Sequence, residues 1–152
     1  MVNGKYVMKE HGLPGIGGVI FAKFFPKVLG FSESVPSSVL ASWLPRVTQI
    51  TPVELLAPVV ALLTFGEYIK KSRVLLLVDN EAVESALVKG YSNRCSDLCQ
   101  LIGVFWELVQ RFELLMYIDR VPTDSNPSDG PSRGKVGQME DRRWMRVPGI
   151  FP

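Results

Sequence analysis

The chain has 152 residues, of which 47% are hydrophobic, so it holds enough apolar material for one domain with a single core and is too short to favour two. A net charge of +2 permits a polyanionic partner without requiring one. The longest apolar run, residues 55–65, is too short to span a bilayer and contains a proline. Because the N-terminus also lacks a basic region followed by an apolar one, neither a membrane segment nor a secretory signal is evident.

The first third of the chain predicts an antiparallel meander of short strands. Weak strand character around residues 6–8 is followed by a turn at 9–15. The β-branched and aromatic run at 16–24 predicts a strand, and its glycine pair predicts a bulge or a close backbone approach. Residues 28–31 and 39–44 are two further short strand candidates.

A buried helix is predicted to begin at residues 51–54. Thr at the N-cap, Pro at the first helical position and Glu54 at the third form the capping-box pattern. The helix should run to about residue 65 or 69, and it is apolar nearly all round, which is typical of a buried helix. Pro58 predicts a kink, because it removes one helical amide.

The stretch 74–83 is the one around which the rest of the chain is organised. Its apolar run, residues 74–78, predicts a strand buried on both faces, and the strand stops at Asp79. In sheets flanked by helices, chemistry gathers outside the carboxyl ends of strands. The alternative is that Asp79 and Asn80 only cap the next helix.

The second half of the chain alternates helices with a strand. A short helix over 81–89 is predicted to end at Gly90, and an amphipathic helix beginning at residue 92 or 93 should continue to about 112. Residues 113–118 then predict a strand, and residues 119–133 a loop.

Two cysteines, Cys95 and Cys99, lie on one face of the amphipathic helix. We interpret them as core thiols rather than zinc ligands, because a zinc site needs further ligands and His11 is the only histidine. Reduced thiols favour an intracellular protein that is not secreted.

Together these elements predict an α/β fold with a five-stranded mixed sheet, three antiparallel strands followed by parallel ones, flanked by helices. The domain should span residues 1–134. Residues 135–152 form a basic C-terminal segment with a short helix and a loose tail.

Three carboxylates occupy places from which they could meet: Glu54, Asp79 and Asp129. A single histidine makes Ser-His-Asp or Cys-His catalysis improbable, and no phosphate-binding loop of the GxxxxGK type is present. Clustered carboxylates repel each other unless a cation joins them, and hard divalent ions such as Mg²⁺ take oxygen ligands. A pair of such ions can activate water and stabilise the leaving oxygen of a phosphodiester.

Four segments resemble motifs of the ribonuclease H domain of retroelement reverse transcriptases. They are Gly15-Ile16-Gly17-Gly18-Val19-Ile20-Phe21, Glu54-Leu55-Leu56-Ala57, Val78-Asp79-Asn80 and Asn126-Pro127-Ser128-Asp129-Gly130-Pro131-Ser132-Arg133. The last is the most specific, and the resemblance spans about residues 10–134 in the right order.

The resemblance implies a metal-dependent endonuclease that hydrolyses the RNA strand of RNA–DNA hybrids with two Mg²⁺ or Mn²⁺ ions. Glu54, Asp79 and Asp129 would be catalytic metal ligands. The family has an Asp on its first strand where this chain has Glu10, whose longer stem displaces the carboxylate by roughly an ångström. The alternative is therefore an inactive domain of the same fold that serves as a structural or nucleic-acid-binding module. The histidine that many cellular members carry is also missing.

The same resemblance implies a fragment of a retroelement polyprotein, with a polymerase domain as a candidate partner, and the chain is expected to be monomeric. Candidate nucleic-acid contacts are Asn80, Lys89, Asn93 and Arg94. Each carboxylate also has a structural alternative. Glu54 could complete the capping box, Asp129 could cap the last helix, and the other acidic residues of the late loop, Asp119 and Asp124, are expected to be solvated.

Overall fold

The computed structural model describes residues 2–3, 13–93 and 95–152, with the backbone alone for 2, 3, 138 and 141. The strands are β1 (Val2–Asn3), β2 (Gly15–Ile20), β3 (Leu29–Ser34), β4 (Arg73–Val78), β5 (Leu115–Arg120) and β6 (Met145–Arg146). The helices are α1 (Ser37–Ala41), α2 (Ile50–Phe65), α3 (Glu81–Lys89), α4 (Ser96–Arg111), α5 (Asp129–Ser132) and α6 (Gly137–Asp141).

The strands form two hydrogen-bonded groups. One has the order β1-β2-β3-β6, in which β2 is antiparallel to β1 and β3 while β6 is parallel to β3, and the other is the parallel pair β4-β5. The α/β class and the mixed strand directions are as predicted. The predicted single five-stranded sheet is wrong for the described part of the chain. The two described residues of β1 pair with β2 alone, so no described strand pairing joins β1 to β4.

The helix α2 forms the centre of the core, as its composition predicts. Its residues from Pro52 to Leu62 are all buried, and α4 packs beside it through Ile102 and Phe105. By length and composition Ile50–Tyr68 could cross a membrane, but 72% of its most apolar window is buried inside the molecule. An apolar helix of this kind is what a protein core requires.

The predicted capping box of α2 is wrong. The helix begins at Ile50 with Gln49 as its N-cap residue, so Thr51 lies within the first turn and no side chain caps the helix. The preceding loop explains the earlier start, because the Gln49 side chain accepts a hydrogen bond from Arg46 (3.1 Å) and donates one to the Leu44 carbonyl (3.0 Å). Glu54 is therefore not a capping residue.

The third strand of the predicted meander is also wrong. Residues 39–44 begin within α1, where the amide of Val39 donates to the Pro36 carbonyl at 3.0 Å. Pro36 has a φ of −59° and starts the helical turn, which overrides the β propensity of a short apolar run. Smaller differences are that β2 ends at Ile20 and that α4 begins at Ser96.

The basic C-terminal segment contacts the body of the protein. Strand β6 lies beside β3, and Arg146 donates to the Ser32 carbonyl at 3.1 Å. The amide of Ile150 donates to the Thr64 hydroxyl at 2.9 Å. Trp144 meets the ring of Phe21 edge-on. These contacts tie the segment to β3 and α2.

Candidate functional site

Asp79 lies directly after the last residue of β4 and is half-buried. The next residue, Asn80, is the N-cap of α3: its side-chain oxygen accepts hydrogen bonds from the amides of Ala82 (2.8 Å) and Val83 (3.1 Å). The capping role that the sequence left open for this pair therefore belongs to Asn80. At the other end of α3, Gly90 has a φ of 80°, as predicted for a helix C-cap.

Residue Glu54 is 9% exposed, and its carboxylate lies against the end of β4. Its Oε2 accepts a hydrogen bond from the side-chain amide of Asn80. A buried carboxylate is stable only when donors replace the water that it has lost. Asn80 is such a donor, and its position fixes Glu54 of α2 beside the Asp79–Asn80 pair.

Asp129 is the first residue of α5, a four-residue helix inside the stretch 119–133 for which the sequence predicts a loop. Its carboxylate forms an ion pair with the guanidinium of Arg133 at 3.2 Å. The loop before it is fixed by an Asx turn, in which the Asn126 side chain accepts the amide of Ser128 at 2.9 Å. Arg133 received no role from the sequence, although a basic residue four positions after an Asp in a helix is the signal for such a pair.

Helix α5 is held against β2 and β3. The Ser32 hydroxyl donates to the Pro131 carbonyl at 2.6 Å, and a Cβ on Gly17 would lie 2.4 Å from the Ser132 nitrogen. Strand β1 pairs with β2 and also contacts β4.

The structure thus brings Glu54 to the Asp79–Asn80 pair and places Asp129 on α5, which packs against β2 and β3. Among residues 13–93 and 95–152, no group of three or more His, Cys, Asp or Glu side chains is arranged to hold a metal ion. Glu10, the fourth candidate, lies outside the described residues. The described carboxylates alone therefore do not fit the two-ion centre that the resemblance implies.

The candidate nucleic-acid contacts lie near the same helix. Lys89 is the last residue of α3 and is exposed, Asn93 is exposed in the following loop, and Arg94 lies outside the described residues. The side-chain nitrogen of Asn80 donates a hydrogen bond to Glu54, and its side-chain oxygen accepts one from the amide of Ala82. Asp119 and Asp124 are exposed, as expected for solvated residues.

Two solved structures share this architecture. RNase H1 from the halophilic archaeon Halobacterium salinarum NRC-1 aligns with a TM-score of 0.63 at 19% sequence identity, over 86% of this chain and 92% of that one. The N-terminal RNase H domain of rv2228c from Mycobacterium tuberculosis aligns with a TM-score of 0.66 at 16% identity, over 92% and 93%. The chain has an RNase H fold. No protein-family model and no curated protein matches the sequence.

The two similar structures align over 86% and 92% of this chain. Sequence identity below one fifth means that this likeness extends to the fold and no further.

Proposed function

We propose that this protein is a ribonuclease of the RNase H type that hydrolyses the RNA strand of RNA–DNA hybrids. One observation carries the proposal: the buried Glu54 carboxylate is held by Asn80 immediately beside Asp79, at the carboxyl end of β4. Carboxylates at that edge of an α/β sheet are placed for chemistry, and no cap of α2 or α3 needs either of them.

In this proposal Glu54 and Asp79 are the catalytic carboxylates, and Asn80 is the positioning residue that orients Glu54. Dependence on two Mg²⁺ or Mn²⁺ ions is part of the proposal, supported by the oxygen-only character of these side chains. Such a centre requires Asp129 and Glu10 in addition. Lys89, Asn93 and Arg94 are proposed to contact phosphates, with recognition through the shape of the hybrid and its 2′-hydroxyls.

A second candidate is a hybrid-binding domain without turnover. It is favoured by the Asp129–Arg133 ion pair and by the lack of a three-carboxylate group among the described residues. A carboxylate committed to a neighbouring guanidinium is a weaker metal ligand. The two candidates share the substrate and differ only in hydrolysis.

The deciding experiment measures cleavage and binding together. The full chain is incubated with an end-labelled RNA–DNA hybrid in Mg²⁺ or Mn²⁺, and binding is followed by fluorescence anisotropy in Ca²⁺. Asp79→Asn and Glu54→Gln are expected to lower cleavage by roughly a hundredfold or more, because each removes a carboxylate to which the proposal gives a catalytic role, and a hundredfold corresponds to about 2.7 kcal/mol of transition-state stabilisation. Binding of the hybrid should change little.

Asp119→Asn is the matched control, since Asp119 lies on the neighbouring strand and is exposed. It should leave cleavage unchanged. Metal-independent cleavage, or cleavage that survives Asp79→Asn, would exclude the nuclease. Hybrid binding without any cleavage above the Asp79→Asn background would establish the second candidate.

We further propose that the domain derives from a retroelement polyprotein and acts inside the cell beside a polymerase domain, itself being monomeric. The four sequence motifs support this origin, above all Asn126 to Arg133, which forms the Asx turn and the short helix α5. Light scattering of the purified chain would test the monomer, and a stable dimer would contradict it.

A further inference from the structure

Positive charge is concentrated in the last twenty residues of the chain. Residues 133–152 carry a surplus of three positive charges, whereas the whole chain carries only two, so residues 1–132 are slightly acidic. The basic residues of this segment are Arg133, Lys135, Arg142, Arg143 and Arg146. Arg133 is paired with Asp129, and the other four are exposed. Such a separation of charge attracts a polyanion to one part of the surface.

The turn between α6 and β6 places an arginine on an aromatic ring. Arg143 has a φ of 56°, and the amide of Trp144 donates to the Met139 carbonyl at 2.8 Å. In this turn the guanidinium of Arg142 lies over the Trp144 ring, 5.0 Å from its centroid. The Phe21 ring meets Trp144 at 86° and supports it. Trp144 is half-buried, so the turn holds a planar cation and a ring together at the surface.

Further cations lie beside this turn. Lys27 directly precedes the residue whose carbonyl accepts the Met145 amide at 2.8 Å. Lys27, Arg142 and Arg143 are exposed, and among the side chains that the structure describes no carboxylate forms an ion pair with any of them. Glu140 is an exposed acidic neighbour, since its carbonyl accepts the Arg143 amide at 2.9 Å. Positive charge therefore exceeds negative charge around Trp144.

Attachment of the segment to the body does not account for this arrangement. Strand β6 already bonds to β3, and the Ile150 amide donates to the Thr64 hydroxyl at 2.9 Å. An acidic peptide would neutralise the cations, but its carboxylates offer no ring to stack on Trp144. A single strand of nucleic acid supplies both phosphates and exposed base faces, whereas the bases of a duplex are already stacked on each other. Charge and ring chemistry together thus favour a single strand.

We propose that the surface formed by Lys27, Arg142, Arg143 and Trp144 binds single-stranded nucleic acid. One base stacks against the Arg142–Trp144 pair, and the neighbouring phosphates contact Lys27 and Arg143. These contacts read neither the base sequence nor the 2′-hydroxyl, so DNA and RNA strands bind alike. The surface, called the Trp144 surface below, uses none of the candidate catalytic carboxylates, and its occupation does not depend on whether hybrids are hydrolysed.

The probe is fluorescein-labelled dT12, titrated with the full chain in EDTA and followed by anisotropy, so that metal-dependent cleavage plays no part. An abasic strand with the same number of phosphates should bind about tenfold more weakly, because it has no base to stack. An rU12 strand should bind within about twofold of dT12. Equal binding of dT12 and the abasic strand would overturn the proposal, since attraction of charge alone would then explain the affinity.

Charge variants locate the phosphate contacts through the salt dependence. Arg143→Gln should lower the slope of log Kd against log salt by about 0.7, as expected for one lost phosphate contact on a single strand. Arg111→Gln removes the same charge from an exposed position on α4 and should leave the slope unchanged. Lys89→Gln, at a candidate hybrid contact, should also leave it unchanged. A slope that falls with Lys89→Gln and not with Arg143→Gln would place the strand elsewhere and overturn the proposal.

Tryptophan fluorescence tests the stacked base directly. Binding of unlabelled dT12 should quench the emission of the wild type, and Trp144→Leu should abolish this quenching and weaken binding about tenfold. Trp43→Phe is the control, because this half-buried tryptophan packs against the core and should not contribute to the quenching. Quenching that persists in Trp144→Leu would overturn the stacking. Circular dichroism confirms that the variant is folded, and Arg143→Gln provides an independent test if it is not.

Discussion

The side chain of Asn80 both caps helix α3 and contacts Glu54 of the candidate site. Its oxygen satisfies two amides at the start of α3, while its nitrogen donates to the buried Glu54. From the sequence, Asn80 was predicted to contact nucleic acid, and either Asp79 or Asn80 could have been the cap. The sequence could not decide between them, because Asp and Asn cap helices about equally well. The bond to Glu54, 26 positions away, carries no local signal.

Two substitutions at Asn80 separate its roles. Asn80→Ser keeps a capping oxygen but removes the donor to Glu54, whereas Asn80→Ala removes both. We expect Asn80→Ser to lower the free energy of unfolding by about 1 kcal/mol and Asn80→Ala by about 2 kcal/mol, measured by urea denaturation. Both should reduce hybrid cleavage, since Glu54 loses its orientation. Asn93→Ala, at an exposed loop position, should be neutral in stability. Equal stability of the two Asn80 variants would contradict the capping role.

The packing of helix α5 against β2 depends on a glycine of that strand, Gly17. The glycine pair of β2 was predicted to mark a bulge or a close backbone approach, and the close approach is confirmed at Gly17. A Cβ there would lie 2.4 Å from the Ser132 nitrogen and 2.6 Å from the Pro131 carbonyl carbon. Both atoms are backbone atoms, so a clash must move the whole helix and Asp129 with it.

Gly17→Ala is therefore expected to destabilise the protein by about 3 kcal/mol, in the upper range of overpacking effects. Hybrid cleavage should fall by more than the loss of folded protein explains, because Asp129 is displaced. Gly103→Ala is the control: this helical glycine of α4 has nothing within 4 Å of an added Cβ, and it should gain a few tenths to 1 kcal/mol. Urea denaturation and cleavage per folded molecule measure the two effects. A Gly17→Ala protein as stable as wild type would show that α5 does not press on β2.

Elements with a long or continuous apolar pattern were predictable, and short ones were not. Helix α2, helix α4 and the presence of strand β4 followed from composition and period. The predicted burial of β4 on both faces is wrong, because only Leu76 and Val78 are buried and Leu75 is 56% exposed. The conformation of residues 39–44 did not follow, since a brief apolar run fits a strand or a helical turn and the turn at Pro36 decides. The start of α2 was missed for a similar reason. Its capping box competes with the contacts of Gln49 to Arg46 and Leu44, which the local sequence does not reveal.

At the scale of the whole molecule, an ion pair joins the loop before α2 to the first turn of α4. The Arg46 guanidinium donates to Asp97, whose second oxygen accepts the amide of Leu44 at 3.0 Å. The Asp97 side chain is 7% exposed and that of Arg46 18%. The hydrogen bond from Arg46 holds the pKa of Asp97 below its usual value and raises that of Arg46. The sequence separates the partners by 51 positions, so only the folded chain reveals the pair.

Removal of the Asp97 charge should therefore cost stability in a pH-dependent manner. Asp97→Asn keeps an acceptor for Leu44 but leaves Arg46 without its counter-ion, and we expect a loss of about 2 to 4 kcal/mol near pH 7. Because the pKa of Asp97 is lower in the folded than in the unfolded chain, the stabilisation is complete above the ordinary value of 3.8. It disappears as the pH falls through the lowered pKa, where the folded state must also take up the proton.

The measurement is urea denaturation of the wild type and Asp97→Asn at several pH values from about 7 down to about 2.5. The difference between the two proteins should stay constant from neutral pH to roughly pH 4.5 and then shrink. Other carboxylates titrate equally in both proteins and cancel in the difference. Asp124→Asn, at an exposed position, should remain within about 0.5 kcal/mol of wild type throughout. A pH-independent difference for Asp97→Asn would mean that packing, not the ion pair, fastens this loop to α4.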